Sequence, residues 1–316
     1  MRVNFPYMSK LAVVTGGAGF IGSHLVDRLI REKWSVVVID NLSTGFVRNL
    51  NPKADFKKMD IRKPQAAALI RKLKPQVIFH LAAQASVPVS VKDPIGDAET
   101  NLHATLHLLD AAADVKVKRF IFAATGGALS SEKTRLPTDE EHASEPTSPY
   151  AIAKVASERY GAFYRLSRGL PFVALRFANV YGPRQNPHGE AGVVAIFSRR
   201  MLKGESVKVN GTGKQTRDYV YVGDVVDAMM AALEVPKAEG PYHVGNGVEV
   251  SVNDLFKRIA KLTEYKKKPL KGPMDIGAPL RSSLDSSKIR KELDWAATTS
   301  LEEGLWLTVD WFRSNA

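Results

Sequence analysis

The sequence predicts an α/β fold built on a doubly wound parallel sheet, with a smaller α/β domain toward the C-terminus. Three observations carry that prediction. Short runs rich in β-branched residues recur at 11–14, 36–39, 77–81, 119–123 and 172–176. Amphipathic helical stretches lie between them, at 21–31, 100–113 and 149–168 among others. A glycine turn follows the first run directly. Strands that alternate with helices pair in parallel, because each return to the same sheet edge needs a crossover.

Taken in order, residues 11–14 form the first strand and feed Gly16, Gly19, Phe20, Ile21 and Gly22 at the start of a helix. The three glycines permit a tight turn, close approach of the backbone to a pyrophosphate, and packing of the helix on the strand, with the helix N–H groups facing the anion. The second strand, 36–39, ends at Asp40, a carboxylate placed to accept from ribose hydroxyls and to repel a 2′-phosphate. A Rossmann-like site for NAD, rather than NADP, is the expectation. The third helical stretch opens on Pro149, a favoured first helical residue. After Asn179 the pattern breaks into a polar loop at 184–192 and shorter elements. The expected division is a dinucleotide-binding domain over 1–178, rejoined by segments near 215–245, and a second domain over 179–316.

Composition narrows the function. A chain of 316 residues can bury a sizeable core. It contains no cysteine, which removes disulfides, thiolate metal sites and cysteine nucleophiles. No apolar stretch is long enough to span a bilayer, and residues 1–10 read as a short leader rather than a signal peptide, so cytoplasmic residence is expected. The net charge of +12 is spread along the chain, with 266–268 the only compact basic run, and predicts no nucleic-acid partner. It would also draw in anionic substrates. His103 and His107 share a helix face, but no third ligand accompanies them or His80, and no metal is expected.

Tyr150 and Lys154 stand four apart on a predicted helix and so share a face. A phenol titrates near pH 10, and a nearby ammonium together with a cationic nicotinamide would bring it toward a working range. By spacing alone, an exposed Tyr and Lys on an amphipathic helix remain an alternative.

Together these residues resemble the extended short-chain dehydrogenase/reductase family, and within it the nucleotide-sugar epimerases. The matching pieces run in family order along nearly the whole chain: Thr15 to Gly22, Asp40-Asn-Leu-Ser-Thr-Gly45, Asp60-Ile61, His80 to Val87, Asn101, the Tyr150/Lys154 pair, Arg176 to Arg184, and Arg217 to Val222. The resemblance implies that Asn41, Ser43, Thr44 and Gly45 belong to the cofactor site, with Asp60 and Ile61 beside the adenine. It places Leu81, Ala82 and Ala83 at the pyrophosphate and ribose, Phe177 at the nicotinamide, and Gln84, Asn101 and Ala123 in the same site. Asn179 and Arg217 would hold a nucleotide-sugar diphosphate, joined around the substrate by Val87, Gly192, Val193, Asn210, Arg281 and Ser282.

Relatives that dehydrate or decarboxylate carry an acid after the Ser or Thr that ends the fifth strand, whereas this chain reads Thr125-Gly126-Gly127. That leaves reversible oxidation and reduction, as in C4 epimerisation, with Tyr150 as acid/base, Lys154 as its electrostatic partner and Thr125 as proton relay. A nucleotide-sugar reductase and a non-catalytic dinucleotide-binding sensor are the alternatives. Three positions depart from the family: Ser130-Ser131 where Tyr-Gly is usual, Gln84-Ala85 where some epimerases have Lys, and Asp275 and Ala278 where an Arg and an acid would meet the nucleotide. Arg281 is a candidate replacement for that Arg, and the small Ser282 would leave room for an N-acetyl group. The Ala-rich helices at 100–113 and 149–168 are candidates for a homodimer interface.

Overall fold

The structure is a computed structural model that describes residues 10–126, 135–142, 144–188, 192–273 and 280–315. Its first half alternates β1 (Leu11–Thr15), α1 (Phe20–Arg31), β2 (Ser35–Asp40), β3 (Asp55–Lys58), α2 (Pro64–Leu73) and β4 (Val77–His80). Two short helices, α3 (Val87–Lys92) and α4 (Pro94–Ala98), run through a π turn at Glu99–His103 into α5 (Ala104–Asp114). Then come β5 (Arg119–Thr125), the long α6 (Pro149–Arg168) and β6 (Phe172–Phe177).

The second half begins with β7 (Asn179–Tyr181), α7 (Val193–Leu202), β8 (Lys208–Asn210) and β9 (Thr216–Tyr221). It continues through α8 (Val222–Glu234), β10 (Tyr242–Val244), β11 (Glu249–Ser251), α9 (Val252–Leu262) and β12 (Leu270–Gly272), and closes with α10 (Ser287–Leu293) and α11 (Leu301–Ser314).

Seven strands form one sheet in the order β10-β6-β5-β4-β1-β2-β3, every neighbouring pair parallel. All five expected strands are there. The central ones are buried along their length, so they read as continuous apolar runs rather than alternating ones. β3 was not expected: Asp-Phe-Lys-Lys is charged because it sits at the sheet edge, where burial does not select composition. Helices cover both faces. One core joins Leu25, Val26 and Leu29 of α1 to Val225, Val226 and Met229 of α8, and the other joins Ile70 of α2 to Leu108 and Ala112 of α5.

The segment at 215–245 divides. α8 packs on the large sheet and β10 pairs with β6, Tyr242 opposite Leu175, while β9 lies between β11 and β7 in a separate three-stranded sheet. A third core, around Tyr181, Phe197, Tyr219, Leu255 and Val309, supports that small sheet.

Candidate active site

The strand order reverses between β1 and β4, and in open α/β sheets ligands bind in the crevice at that point. The loop after β1 is shaped there by contact with the loop after β4. Gly16 has φ +72°, and a Cβ on it would lie 2.7 Å from the Ala82 nitrogen. A Cβ on Gly22 would collide with the Gly16 carbonyl oxygen. Gly19 caps α1 without any side-chain hydrogen bond, so the first-turn N–H groups stay open toward the crevice. These features fit a pyrophosphate, which needs bare backbone and unpaired N–H donors.

Asp40 closes this cradle. One carboxylate oxygen accepts from the Ala18 N–H at 3.0 Å, the other from the Leu42 N–H at 2.8 Å, and each keeps lone-pair capacity for a ribose hydroxyl. Gly45 packs against Ala18, and Ser43 and Thr44 are exposed at the rim. Asn41 reaches Asp60 at 3.5 Å. The Arg62 guanidinium beside Asp60 holds its carboxyl down at about 2, and Ile61 is buried. Phe20, Ile21, Leu81, Ala82 and Ala83 line the two loops that face one another, partly exposed.

At the far end of the same crevice, Ser148 caps α6 by accepting from the Ala151 N–H, which sets Tyr150 and Lys154 on successive turns. Tyr150 is hydrogen-bonded to Thr125, the last residue of β5. Lys154 is 3 % exposed, and its Nζ donates to the Ala123 carbonyl oxygen at 2.8 Å and lies 4.6 Å from the Phe122 ring centroid. Burial pushes the Tyr150 phenol up to about 12, with the Asp97 charge adding to the rise and the Thr125 hydrogen bond opposing it. Burial pulls Lys154 down to about 8, against the attraction of Glu158 and Asp97.

The π turn aims Asn101 at the loop after β4. Its Oδ1 accepts from the Gln84 N–H at 3.0 Å, and its Nδ2 donates to the Gln84 carbonyl at 2.8 Å. His80 sits between Thr15 and Thr105, 1 % exposed, and burial depresses it to about 3, so it is a neutral packing residue. His103 and His107 are exposed, and no group of metal-ligating residues occurs among the described residues.

The substrate-side candidates lie on several elements. Asn179 is exposed and lies opposite Tyr219 in the β7–β9 pairing, two residues along from Arg217 and on the same face of the small sheet. Arg217 donates to the Thr216 and Leu280 carbonyls. Segment 280–286 crosses to the end of β5: Leu284 packs where a Cβ on Gly126 would be 2.5 Å away, and Ser283 pairs with Thr138. Ser282, two residues before Leu284, is buried. Arg281 forks onto the Glu249 carboxylate, which also accepts from Thr216. Val87 begins α3, Gly192 and Val193 begin α7 beside Gln185, and Phe177 closes β6. Asn210 ends β8 in a two-stranded pairing with β12, opposite Gly272. Ser130, Ser131, Asp275 and Ala278 lie outside the described residues.

Three site groups were not legible beforehand. Asp97 bonds both Gln84 and Asn101, and its only sequence signal is the four-residue spacing to Asn101 on a helix. Glu158 and Arg176 form a buried ion pair behind Lys154, joining α6 to β6. Glu249, which holds Arg281, sits 32 residues away.

The parallel sheet and the glycine cradle define a dinucleotide-binding protein, with Tyr150 and Lys154 on the helix that follows β5. The chain belongs to the NAD dependent epimerase/dehydratase family, whose signature it matches over residues 12–246. It is 43% identical over 309 residues to a UDP-glucose 4-epimerase of Mycolicibacterium smegmatis, covering 96% of this chain and 99% of the relative. Among solved structures it resembles UDP-glucose 4-epimerase of Thermotoga maritima, determined with UDP-glucose, at a TM-score of 0.94 and 48% identity over 96% of this chain and 99% of that one. A UDP-N-acetylglucosamine 4-epimerase of Methanobrevibacter ruminantium matches at a TM-score of 0.92 and 35% identity, over 97% and 99%.

Proposed function

We propose that this chain is an NAD-dependent isomerase that inverts C4 of a UDP-hexose through a transient 4-keto sugar. The observation that carries the reading is the Tyr150–Thr125 hydrogen bond at the end of the glycine crevice, with the buried Lys154 ammonium one turn away. NAD supplies a hydride acceptor and donor when bound, together with a positive charge near the phenol. Gly16, Gly19 and Gly22 would face its pyrophosphate and Asp40 its ribose. Tyr150 takes the C4 hydroxyl proton and returns it, Thr125 orients or relays that proton, and Lys154 stabilises the phenolate. Asn179 and Arg217 would hold the diphosphate, the guanidinium matching its oxygens in a fixed fork.

Among the described residues, no acid or base follows Thr125 at the end of β5. Thr125 is followed by Gly126, with Leu284 packed against it, so the end of β5 offers hydroxyl and apolar surface rather than a carboxylate. The small Ser282 on the crossing segment favours a sugar that carries a C2 N-acetyl group as a second substrate.

The likeness to epimerases with UDP-sugars as substrates supports the same choice of nucleotide. Exposed Ile95, Ile152, Phe163 and Leu166 on the packed α4 and α6 support a homodimer through that face. No helix of the described residues is long and apolar enough to cross a membrane, and residence in the cytoplasm completes the proposal.

The test is incubation of purified protein, with no cofactor added, with UDP-glucose, UDP-galactose and their N-acetylated forms, following C4 inversion by proton NMR. Inversion by the wild type and its loss in Tyr150→Phe is the expected result. Consumption of NADH with net reduction of a keto sugar would instead establish a reductase.

A further inference from the structure

We propose that Asp97 is a positioning residue for the reaction, and that its negative charge, rather than its hydrogen bonds, sets how the Tyr150/Lys154 pair ionises. The kinetic part of this inference rests on the epimerase reading above.

Asp97 lies on α4, which packs against the catalytic helix α6, and it is 2 % exposed. Both of its hydrogen bonds land on one oxygen: Oδ1 accepts from Gln84 Nε2 at 2.8 Å and from Asn101 Nδ2 at 2.8 Å. The second oxygen, Oδ2, is buried and has no hydrogen-bond partner. An asparagine could accept both bonds through its single carbonyl oxygen. The scaffold therefore has no use for the second oxygen, and burying a charge without a dedicated partner is unfavourable.

The charge does have an electrostatic destination. Lys154 on α6 and Tyr150 one turn before it both lie within its field. The other groups that face this trio are Glu158 on α6, His80 at the end of β4 held neutral by burial, Thr125 on β5, and Asp93 at the start of α4. Of these only Glu158 shares with Asp97 the role of keeping the Lys154 ammonium charged inside the protein, and Glu158 is already committed to Arg176. Burial raises the Asp97 carboxyl itself, with the two amide donors and Lys154 holding it down, so the carboxylate and the ammonium sustain one another.

The experiment compares wild type with Asp97→Asn and Asp97→Glu in the NAD-loaded protein. One readout is the near-ultraviolet titration of Tyr150, obtained by difference from the Tyr150→Phe variant of each form. The other is the pH dependence of kcat. Asp97→Asn is expected to fold, to ionise Tyr150 on the order of one pH unit lower, and to move the alkaline limb of kcat to lower pH, while Asp97→Glu stays near wild type.

An unchanged Tyr150 titration in Asp97→Asn overturns the proposal, whatever happens to kcat. So does an Asn variant that fails to fold, because its amide repeats both hydrogen bonds. If the wild type inverts no sugar, the epimerase reading fails separately, and the absorbance titration alone decides the role of Asp97.

Discussion

Lys154 is tied to the sheet and not to the neighbouring phenol: its Nζ donates to the Ala123 carbonyl at 2.8 Å and stands 5.9 Å from the centre of the Tyr150 ring. The ammonium's hydrogen bond therefore goes to the sheet, and the hydrogen bond to the phenol comes from Thr125. That arrangement fixes the ammonium independently of the phenol oxygen.

Tyr150→Phe removes one hydroxyl, bonded among the described residues to Thr125, and should fold and keep its cofactor. Its kcat for C4 inversion should fall by ~10²–10⁴-fold, the usual contribution of a positioned acid/base. Proton NMR of the sugar C4 signal measures it, and a variant with wild-type turnover would remove Tyr150 from the chemistry.

Lys154→Met should change how stability depends on pH. The folded value of about 8 lies below the ordinary 10.5, so below about pH 8 both states are protonated and the folded protein bears the whole burial penalty. Between about 8 and 10.5 the unfolded chain binds a proton that the folded one does not, and stability rises with pH. The penalty amounts to about 3 kcal/mol at most, offset in the variant by an unpaired Ala123 carbonyl at about 1–3 kcal/mol. The stability of Lys154→Met relative to wild type should thus decline as pH rises through this window in urea titrations. A relative stability independent of pH would contradict the assignment.

Asp40→Ala strips two backbone N–H groups, Ala18 and Leu42, of their acceptor as well as removing the proposed ribose ligand. A loss of about 1–3 kcal/mol is expected for the loop bonds alone, with protein that purifies depleted in NAD. Thermal unfolding and the absorbance of the released cofactor give the two numbers. Full NAD content would place the ribose elsewhere.

Arg217→Ala should act on substrate affinity rather than turnover. Loss of a charge-assisted contact to a diphosphate raises KM by roughly 10–100-fold with kcat little changed. Arg281→Ala should do less, since Arg281 is already engaged by Glu249 and must leave that carboxylate to reach an anion. Parallel steady-state kinetics rank the two, and the reverse order would make Arg281 the main diphosphate contact.

Much of this site could be read along the chain because its parts are local. Gly16 to Gly22, Asp40 and the Tyr150/Lys154 spacing each announce themselves within a strand–turn–helix or a single helical turn, where periodicity and turn chemistry act over a few residues. Asp97, Glu158 and Glu249 gave no comparable signal. Each matters through a partner on another element, and one acidic residue on a helix or strand looks like any other until packing decides whether it meets water, an arginine or a lysine. His80 makes the same point from the other side: an apparent candidate ligand becomes a packing residue once Thr15 and Thr105 close on it.

By itself the sequence determined the class of fold, five of the seven strands of the large sheet, the place of the glycine cradle and the helical pairing of Tyr150 with Lys154. Those follow from hydrophobic period and backbone sterics, which depend on near neighbours alone. Only the tertiary structure decided that β9 leaves the large sheet while β10 joins it, that Leu284 packs at Gly126, and that Asp97 is buried on a helix packed against α6. Burial and charge–charge distance settle such matters, and both are properties of residues far apart in the chain brought together by the fold.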